Sequence, residues 1–247
     1  MAHKRLAQND AHVSWLTIPD EAGGPLETDI AILSDDERTR CARFRVDRDA
    51  RAFAAAHTLL RRTLSAFADV TPEAWRFTVA DAAKPALAPE FARCDLAFNL
   101  THTDGLVACI VASAHAQPGI DAERTQRPVD WRDIAAHSFA TDEVKALDAL
   151  GDDDGRKQFF ELWTLKEAFA KAIGLGLLHP LDQTRFDFAL HGAMTCMVPK
   201  AYAHGSWYLA SYAPTAEHVL AVALSDGAPR TWRVHMAQPI DQLRAVR

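Results

Sequence analysis

The chain has 247 residues, 49% of them hydrophobic, enough to bury a sizeable core in one large domain or two of roughly 120 residues. Its 27 basic and 33 acidic residues give a formal charge of −6, which argues against a non-specific nucleic-acid binder and makes any anion site a local one. Four cysteines (Cys41, Cys94, Cys109 and Cys196) without a C-x-x-C pair suggest neither a zinc site nor a disulfide framework, and no run of about 18 apolar residues suggests a membrane span.

Met1 to Asp10 carries charge but no apolar signal region, so a cytoplasmic protein in a reducing compartment is expected. His12 to Ile18 alternates as a first strand, and Pro19 to Pro25, with paired glycines, makes the loop after it. Ser34-Asp35-Asp36-Glu37 reads as a helix start, with Ser34 as N-cap and Glu37 closing a capping box. That helix carries Arg38, Arg40, Arg43 and Arg45, which are either a solvated face or a phosphate clamp. A second helix begins near Asp47 or Asp49 and runs to Ala68, with Phe53, Ala56, Leu60, Leu64 and Phe67 at helical spacing.

Trp75 to Val79 reads as a strand. In the turn Asp81-Ala82-Ala83-Lys84-Pro85, the proline restricts the lysine to extended conformations. Leu96 to Leu100 and Leu106 to Ala112 form a hairpin, with Thr101-His102-Thr103-Asp104-Gly105 as its polar tip. There His102 is either a solvated turn residue or, with Thr101, a donor to an anion at the mouth of the sheet. If Ile120 to Glu123 is a strand, Asp121 and Glu123 project from one face. Side-by-side carboxylates repel unless a cation lies between them, and such oxygen ligands suit Mg²⁺; the alternative is a pair of solvated acids at a strand end.

Asp130 to Ala149 gives one or two helices, and Gly151 to Gly155 is a loop feeding a core helix, Phe159 to Gly176. On it Leu162, Leu165, Phe169 and Ile173 share a stripe, and Gly174 stands where a C-terminal glycine cap belongs. Lys166 projects into the apolar arc, where its ammonium must snorkel to water or find an anion. Glu167 and Lys171, four residues apart on the edge of that arc, are either an ordinary helix pair or part of a site. Strands follow at Phe186 to Leu190, Trp207 to Tyr212 and His218 to Leu224, with an irregular tail after Asp226. This order of elements gives an α+β fold in two halves of comparable size, 1–113 and 114–247.

Gly119-Ile120-Asp121-Ala122-Glu123, followed about forty residues later by Trp163-Thr164-Leu165-Lys166-Glu167-Ala168-Phe169-Ala170-Lys171, resembles the paired signature of the 4′-phosphopantetheinyl transferases. Phe98-Asn99-Leu100-Thr101-His102-Thr103 and Lys84-Pro85 match that family's two upstream motifs, in order, and the likeness runs from about Ser34 to Leu190. Chain length and the arginine-bearing helix resemble the larger, surfactin-synthetase-activating type.

The resemblance implies a monomeric chain whose similar halves form an intramolecular pseudo-dimer with the active site in the cleft between them. Residues 1–113 would contact the adenosine and 3′-phosphate end of coenzyme A, and residues 114–247 would carry the metal acids and the catalytic helix. It implies Mg²⁺-dependent transfer of the phosphopantetheine arm of coenzyme A to a serine of an apo acyl or peptidyl carrier protein, releasing adenosine 3′,5′-bisphosphate. Asp121, Glu123 and Glu167 match the metal acids, and Lys171 matches the lysine on the pyrophosphate. Arg40, Lys84, Thr101 and His102 match positions that grip the 3′-phosphate and adenosine, while Lys166 would meet the carboxylates or the phosphates. Glu167, directly or through a metal-bound water, would take the serine proton.

Ala83 stands where the family often has glycine, Phe77 to Asp81 lacks a basic residue some relatives carry, and Thr101 replaces a commoner serine. Fatty-acid, polyketide, nonribosomal-peptide and lysine-pathway carriers all fit as partners. Nucleic acid and membrane do not. A carrier is expected to dock on an apolar patch with local arginines, placed in the segment Trp131 to Phe139. The competing readings are a Mg²⁺-dependent phosphohydrolase and a non-catalytic module binding coenzyme A or a nucleotide.

Overall fold

A computed structural model describes residues 6–19, 23–78, 84–176, 179–188, 194–203, 206–228 and 231–237. The chain begins with strand β1 (Asp10–Thr17), the short helix α1 (Glu27–Ile30), and helices α2 (Asp35–Cys41) and α3 (Asp47–Ser65). The expected capping box starts α2: the Glu37 N–H donates to Ser34 Oγ (3.3 Å) and the Ser34 N–H to Glu37 Oε2 (2.8 Å). Two short strands, β2 (Phe77–Thr78) and β3 (Ala86–Leu87), pair before β4 (Leu96–Thr103) and β5 (Leu106–Ser113). The expected Trp75–Val79 strand is thus shorter among the described residues, and Ala83, with Val79 to Asp81, lies outside them.

Strand β6 (Gly119–Arg124) leads into helices α4 (Trp131–Ser138), α5 (Thr141–Asp148) and the long α6 (Asp152–Ala172). Strands β7 (Arg185–Phe188), β8 (Met194–Met197), β9 (Tyr208–Thr215), β10 (His218–Leu224) and β11 (Arg233–Ala237) complete a mixed α+β fold. Gly174, with φ +79°, takes the left-handed conformation expected just past the end of α6.

One sheet has the order β11-β1-β5-β4 and a second the order β6-β10-β9, each antiparallel except that β11 runs parallel to β1. Helix α3 packs on β4 and β5, and α6 packs on β6 and β10. Ile110 and Leu106 of the first sheet share a dry core with Ile120, Leu220 and Val222 of the second. The sheets meet where edge strand β4 faces edge strand β6, and side chains stitch that seam. The Ile120 N–H donates to Asn99 Oδ1 (3.0 Å) and the Arg124 N–H to Thr103 Oγ1 (3.3 Å). Buried edge amides thereby find partners without a continuous ladder.

Gly119 lets β6 and α6 come this close. A Cβ there would stand 2.0 Å from the Ala168 carbonyl oxygen and 2.6 Å from the Ala172 nitrogen. Among the described residues no helix is long and apolar enough to cross a membrane.

Several expectations about elements are corrected: α2 ends at Cys41, so Arg43 and Arg45 lie beyond the helix expected to carry them, and α6 starts at Asp152 inside the expected loop Gly151 to Gly155. The polar tip of the hairpin is only Asp104-Gly105, because β4 stays in register with β5 through Thr103 opposite Leu106. Thr101 and His102 therefore lie on a strand, and ladder hydrogen bonds outweigh their turn-like polarity. The tail is not wholly irregular either: β11 returns to β1, with the Arg233 N–H on the Asn9 carbonyl (2.9 Å) and the Arg233 Nε on Asp10 Oδ1 (2.7 Å). A strand of the 114–247 half thus completes the sheet of the 1–113 half.

Candidate active site

The period of two along β4 turns Asn99, Thr101 and Thr103 toward β6, where the same period aligns Asp121 and Glu123. Thr101 Oγ1 donates to Asp121 Oδ1 (3.1 Å), and Thr103 Oγ1 lies 3.5 Å from Glu123 Oε2. From α6, Lys171 Nζ reaches across to Asp121 Oδ1 (2.6 Å) and Thr101 Oγ1 (3.2 Å). Arg127 holds Glu123 Oε2 at 2.7 Å. Two strands, a helix and the loop after β6 that carries Arg127 thereby bring an acid pair, two hydroxyls and two cations to the seam between the halves.

Asp121 Oδ2 and Glu167 Oε1 are buried without a hydrogen-bond partner. Burial, with the Asp121 charge beside it, raises the pKa of Glu167 above the ordinary carboxylate range, against the opposing pull of Lys171. Glu123 is raised in the same way, by burial first and then Asp121, with Arg127 opposing. Among the described residues no three His, Cys, Asp or Glu side chains stand at metal-binding spacing. Lys171 and Arg127 occupy one oxygen each of Asp121 and Glu123, and only partly offset the negative charge of the three acids. The donor set still fits a hard cation: two buried carboxylate oxygens are unsatisfied, in an all-oxygen environment.

Asp121, Glu123 and Lys171 line a cleft of about 790 Å³ that is walled by both halves and also lined by Arg40, Phe53, His57 and Phe77. Thr101 and His102 line it as well. Burial, then the Lys171 charge, lowers the pKa of His102, favouring its neutral form. Arg40 lies over the Phe53 ring, 5.3 Å from its centroid. Lys84 donates to the Pro118 carbonyl, and burial pulls its pKa down to about 8.

Lys166 requires a correction. It is fully buried but meets neither the acid cluster nor the cleft: its ammonium sits 2.9 Å from Glu143 Oε2 and donates to the Leu181 (2.9 Å) and Thr184 carbonyls. One residue before Glu167 on a helix is about 100° away, so Lys166 faces the α5 side while Glu167 faces the seam. Glu143 also accepts from the Ala140 and Phe186 N–H groups, so this pair ties α5, α6 and β7 together.

Trp131 and Phe139, the aromatic residues at the ends of the expected docking segment, are 4% and 5% exposed and stack around Phe159 in the core, while Arg132, Asp133, Ala136 and His137 between them are exposed. The two aromatic rings cannot meet a partner.

Sequence reasoning did not single out Asn99, Thr103 or Arg127; the alternation Asn99-Thr101-Thr103 is the signal that would have found the first two. It also missed a buried hub in the cleft wall. Glu37 Oε1 lies 2.7 Å from His57 Nδ1 and Glu37 Oε2 2.6 Å from Arg61, which also donates to the Pro72 and Trp75 carbonyls. Burial alone would raise the Glu37 pKa, but His57, the Ser34 amide and Arg61 outweigh it and bring it down to about 2.

Comparison with known proteins places this geometry. Residues 117–223 match the 4′-phosphopantetheinyl transferase superfamily, and residues 20–115 match the 4′-phosphopantetheinyl transferase N-terminal region. The 4′-phosphopantetheinyl transferase HetI of Nostoc sp. is 32% identical over 92% of this chain and 93% of its own. The 4′-phosphopantetheinyl transferase Sfp of Bacillus subtilis is 31% identical over 78% of this chain and 82% of its own. A crystal structure of a holo-(acyl-carrier-protein) synthase from Bacillus anthracis superposes with a TM-score of 0.39, at 16% identity, over 43% of this chain and 92% of that one. The chain belongs to the 4′-phosphopantetheinyl transferase superfamily, in its Sfp type, and is an enzyme of that class.

Proposed function

We propose that the protein transfers the 4′-phosphopantetheine arm of coenzyme A to a serine of an apo acyl or peptidyl carrier protein in a Mg²⁺-dependent reaction, yielding holo-carrier and adenosine 3′,5′-bisphosphate. The observation that carries this reading is the pair of buried, unpartnered oxygens, Asp121 Oδ2 and Glu167 Oε1, in an acid cluster whose Asp121, Glu123 and Lys171 line the cleft. The cleft's volume suits a small-molecule site, so coenzyme A has room there. The matching plan of the halves, a long helix across antiparallel strands, supports a pseudo-dimer within one monomeric chain.

Asp121, Glu123 and Glu167 would hold Mg²⁺, which when bound supplies positive charge against the pyrophosphate oxygens. Lys171, oriented by Thr101, contributes the chain's own cation to the charge that builds as the pyrophosphate linkage breaks. Glu167 takes the serine proton. Arg40, Thr101, His102 and Lys84 hold the adenosine and 3′-phosphate end. Arg40, Thr101 and His102 line the cleft, as does Pro85 next to Lys84, which supports a part for this wall in holding coenzyme A.

Chromatography of the reaction tests this reading. Adenosine 3′,5′-bisphosphate should appear in step with carrier modification and stay absent without carrier. Nucleotide release from coenzyme A alone would indicate a hydrolase instead.

A further inference from the structure

The segment between α2 and α3 departs from the usual burial pattern. Arg43, Phe44, Arg45 and Val46 are all exposed, Phe44 by 39% and Val46 by 49%. The side chains of Arg43 and Arg45 have no hydrogen-bond or ion-pair partner among the described residues. Two outward apolar side chains alternating with two unpaired arginines form an amphipathic patch of concentrated positive charge on a chain whose formal charge is −6.

This patch is joined to the reacting groups. Phe44 packs on Phe53, with ring centroids 5.5 Å apart, and Phe53 lines the main cleft. Phe44 also lines a second cavity of about 410 Å³ together with Arg48, Thr103 and Arg127. That cavity shares His102 and Glu123 with the main cleft. Two openings therefore converge on Glu123, one wide enough for a nucleotide-sized ligand and one beginning at the arginine-flanked patch.

We propose that Arg43, Phe44, Arg45 and Val46 form the docking surface for an acidic carrier-protein domain, whose serine reaches the acid pair through the second cavity while coenzyme A occupies the main cleft. This rests on the transferase reading and names where its macromolecular substrate binds. The unpaired arginines select the sign of the partner's charge, and the exposed Phe44 and Val46 supply the apolar centre that arginines alone lack. All four side chains are exposed, so replacing them leaves the core intact.

The test is steady-state kinetics of the full chain with a purified acidic acyl carrier protein, comparing wild type, Phe44→Ala and the double variant Arg43→Glu/Arg45→Glu. The double variant should raise the carrier KM by about tenfold or more, and Phe44→Ala by severalfold, with the coenzyme A KM unchanged within about twofold. Raising salt should weaken carrier binding to wild type and much less to the double variant. An unchanged carrier KM, or an equal rise in the coenzyme A KM, overturns the docking surface while leaving the transferase reading intact. A wild-type protein that modifies no carrier overturns the transferase reading itself. A dimer that the double variant dissociates would assign this face to a second copy of the chain, against the proposal.

Discussion

Lys171 Nζ stands 2.6 Å from Asp121 Oδ1, and this contact joins helix α6 to strand β6 at the seam where the two sheets meet. It offsets one carboxylate of a crowded acid group and leaves Asp121 Oδ2 and Glu167 Oε1 without partners. The site therefore carries buried negative charge that its own cations only partly balance.

Mg²⁺ should raise the melting temperature of the wild-type protein, because a cation that binds the native acids stabilises them by mass action. Asp121→Asn and Glu167→Gln should each remove most of that rise, as followed by thermal unfolding with and without Mg²⁺. Equal stabilisation of all three proteins would mean that the cation binds elsewhere.

Glu167→Gln should lower kcat by about 10²-fold or more while preserving the fold and the affinity for coenzyme A, since it removes a proton acceptor and keeps the side chain's size. Calorimetry with coenzyme A beside single-turnover kinetics separates the two effects. Near-wild-type turnover would rule out Glu167 as base.

Gly119→Ala should destabilise the protein by about 3 kcal/mol, because its Cβ would press on the Ala168 carbonyl at 2.0 Å and backbone must move to make room. Denaturant unfolding measures this directly. A loss under about 0.5 kcal/mol would show that β6 and α6 separate easily.

Lys166→Met leaves Glu143 buried without its cation and should cost about 3–5 kcal/mol, whereas Lys166→Met with Glu143→Leu should recover part of that loss. Below the unfolding transition both variants should retain coenzyme A affinity. A selective loss of that affinity would restore Lys166 to the binding site.

Glu37 sets an acid limit on the cleft wall. Its native pKa of about 2 lies below the ordinary value of 4.5, so its stabilising contribution is complete above about pH 4.5 and is lost as pH falls toward 2. The loss is about 3 kcal/mol. Glu37→Gln should be less stable near neutrality and show a shallower decline across that window, as read from unfolding at a series of pH values.

Local periodicity gave the shared faces, and the family resemblance gave the roles assigned to them. The alternation of Asp121 and Glu123 and the four-residue step from Glu167 to Lys171 placed those side chains on shared faces, and Ser34 with Glu37 marked a helix start that forms as expected. What stayed hidden depends on contacts distant in sequence. Lys166 lay visibly in the apolar arc of α6, but its partner Glu143 comes from another helix, and no local rule connects them. The return of Arg233–Ala237 to β1 and the continuation of β4 through Thr103 were settled by strand pairing, which polar composition does not reveal. Trp131 and Phe139 show the same gap from the other side: aromatic residues on short helices look alike whether they face a partner or the core.

The most direct measurement is intact-mass spectrometry of an apo acyl carrier protein and an apo peptidyl carrier protein, each incubated with this protein, coenzyme A and Mg²⁺, beside an EDTA control. A gain of one phosphopantetheine on a carrier serine, abolished by EDTA, is the expected result. No gain on either carrier while coenzyme A still binds, or a gain indifferent to EDTA, would contradict the account.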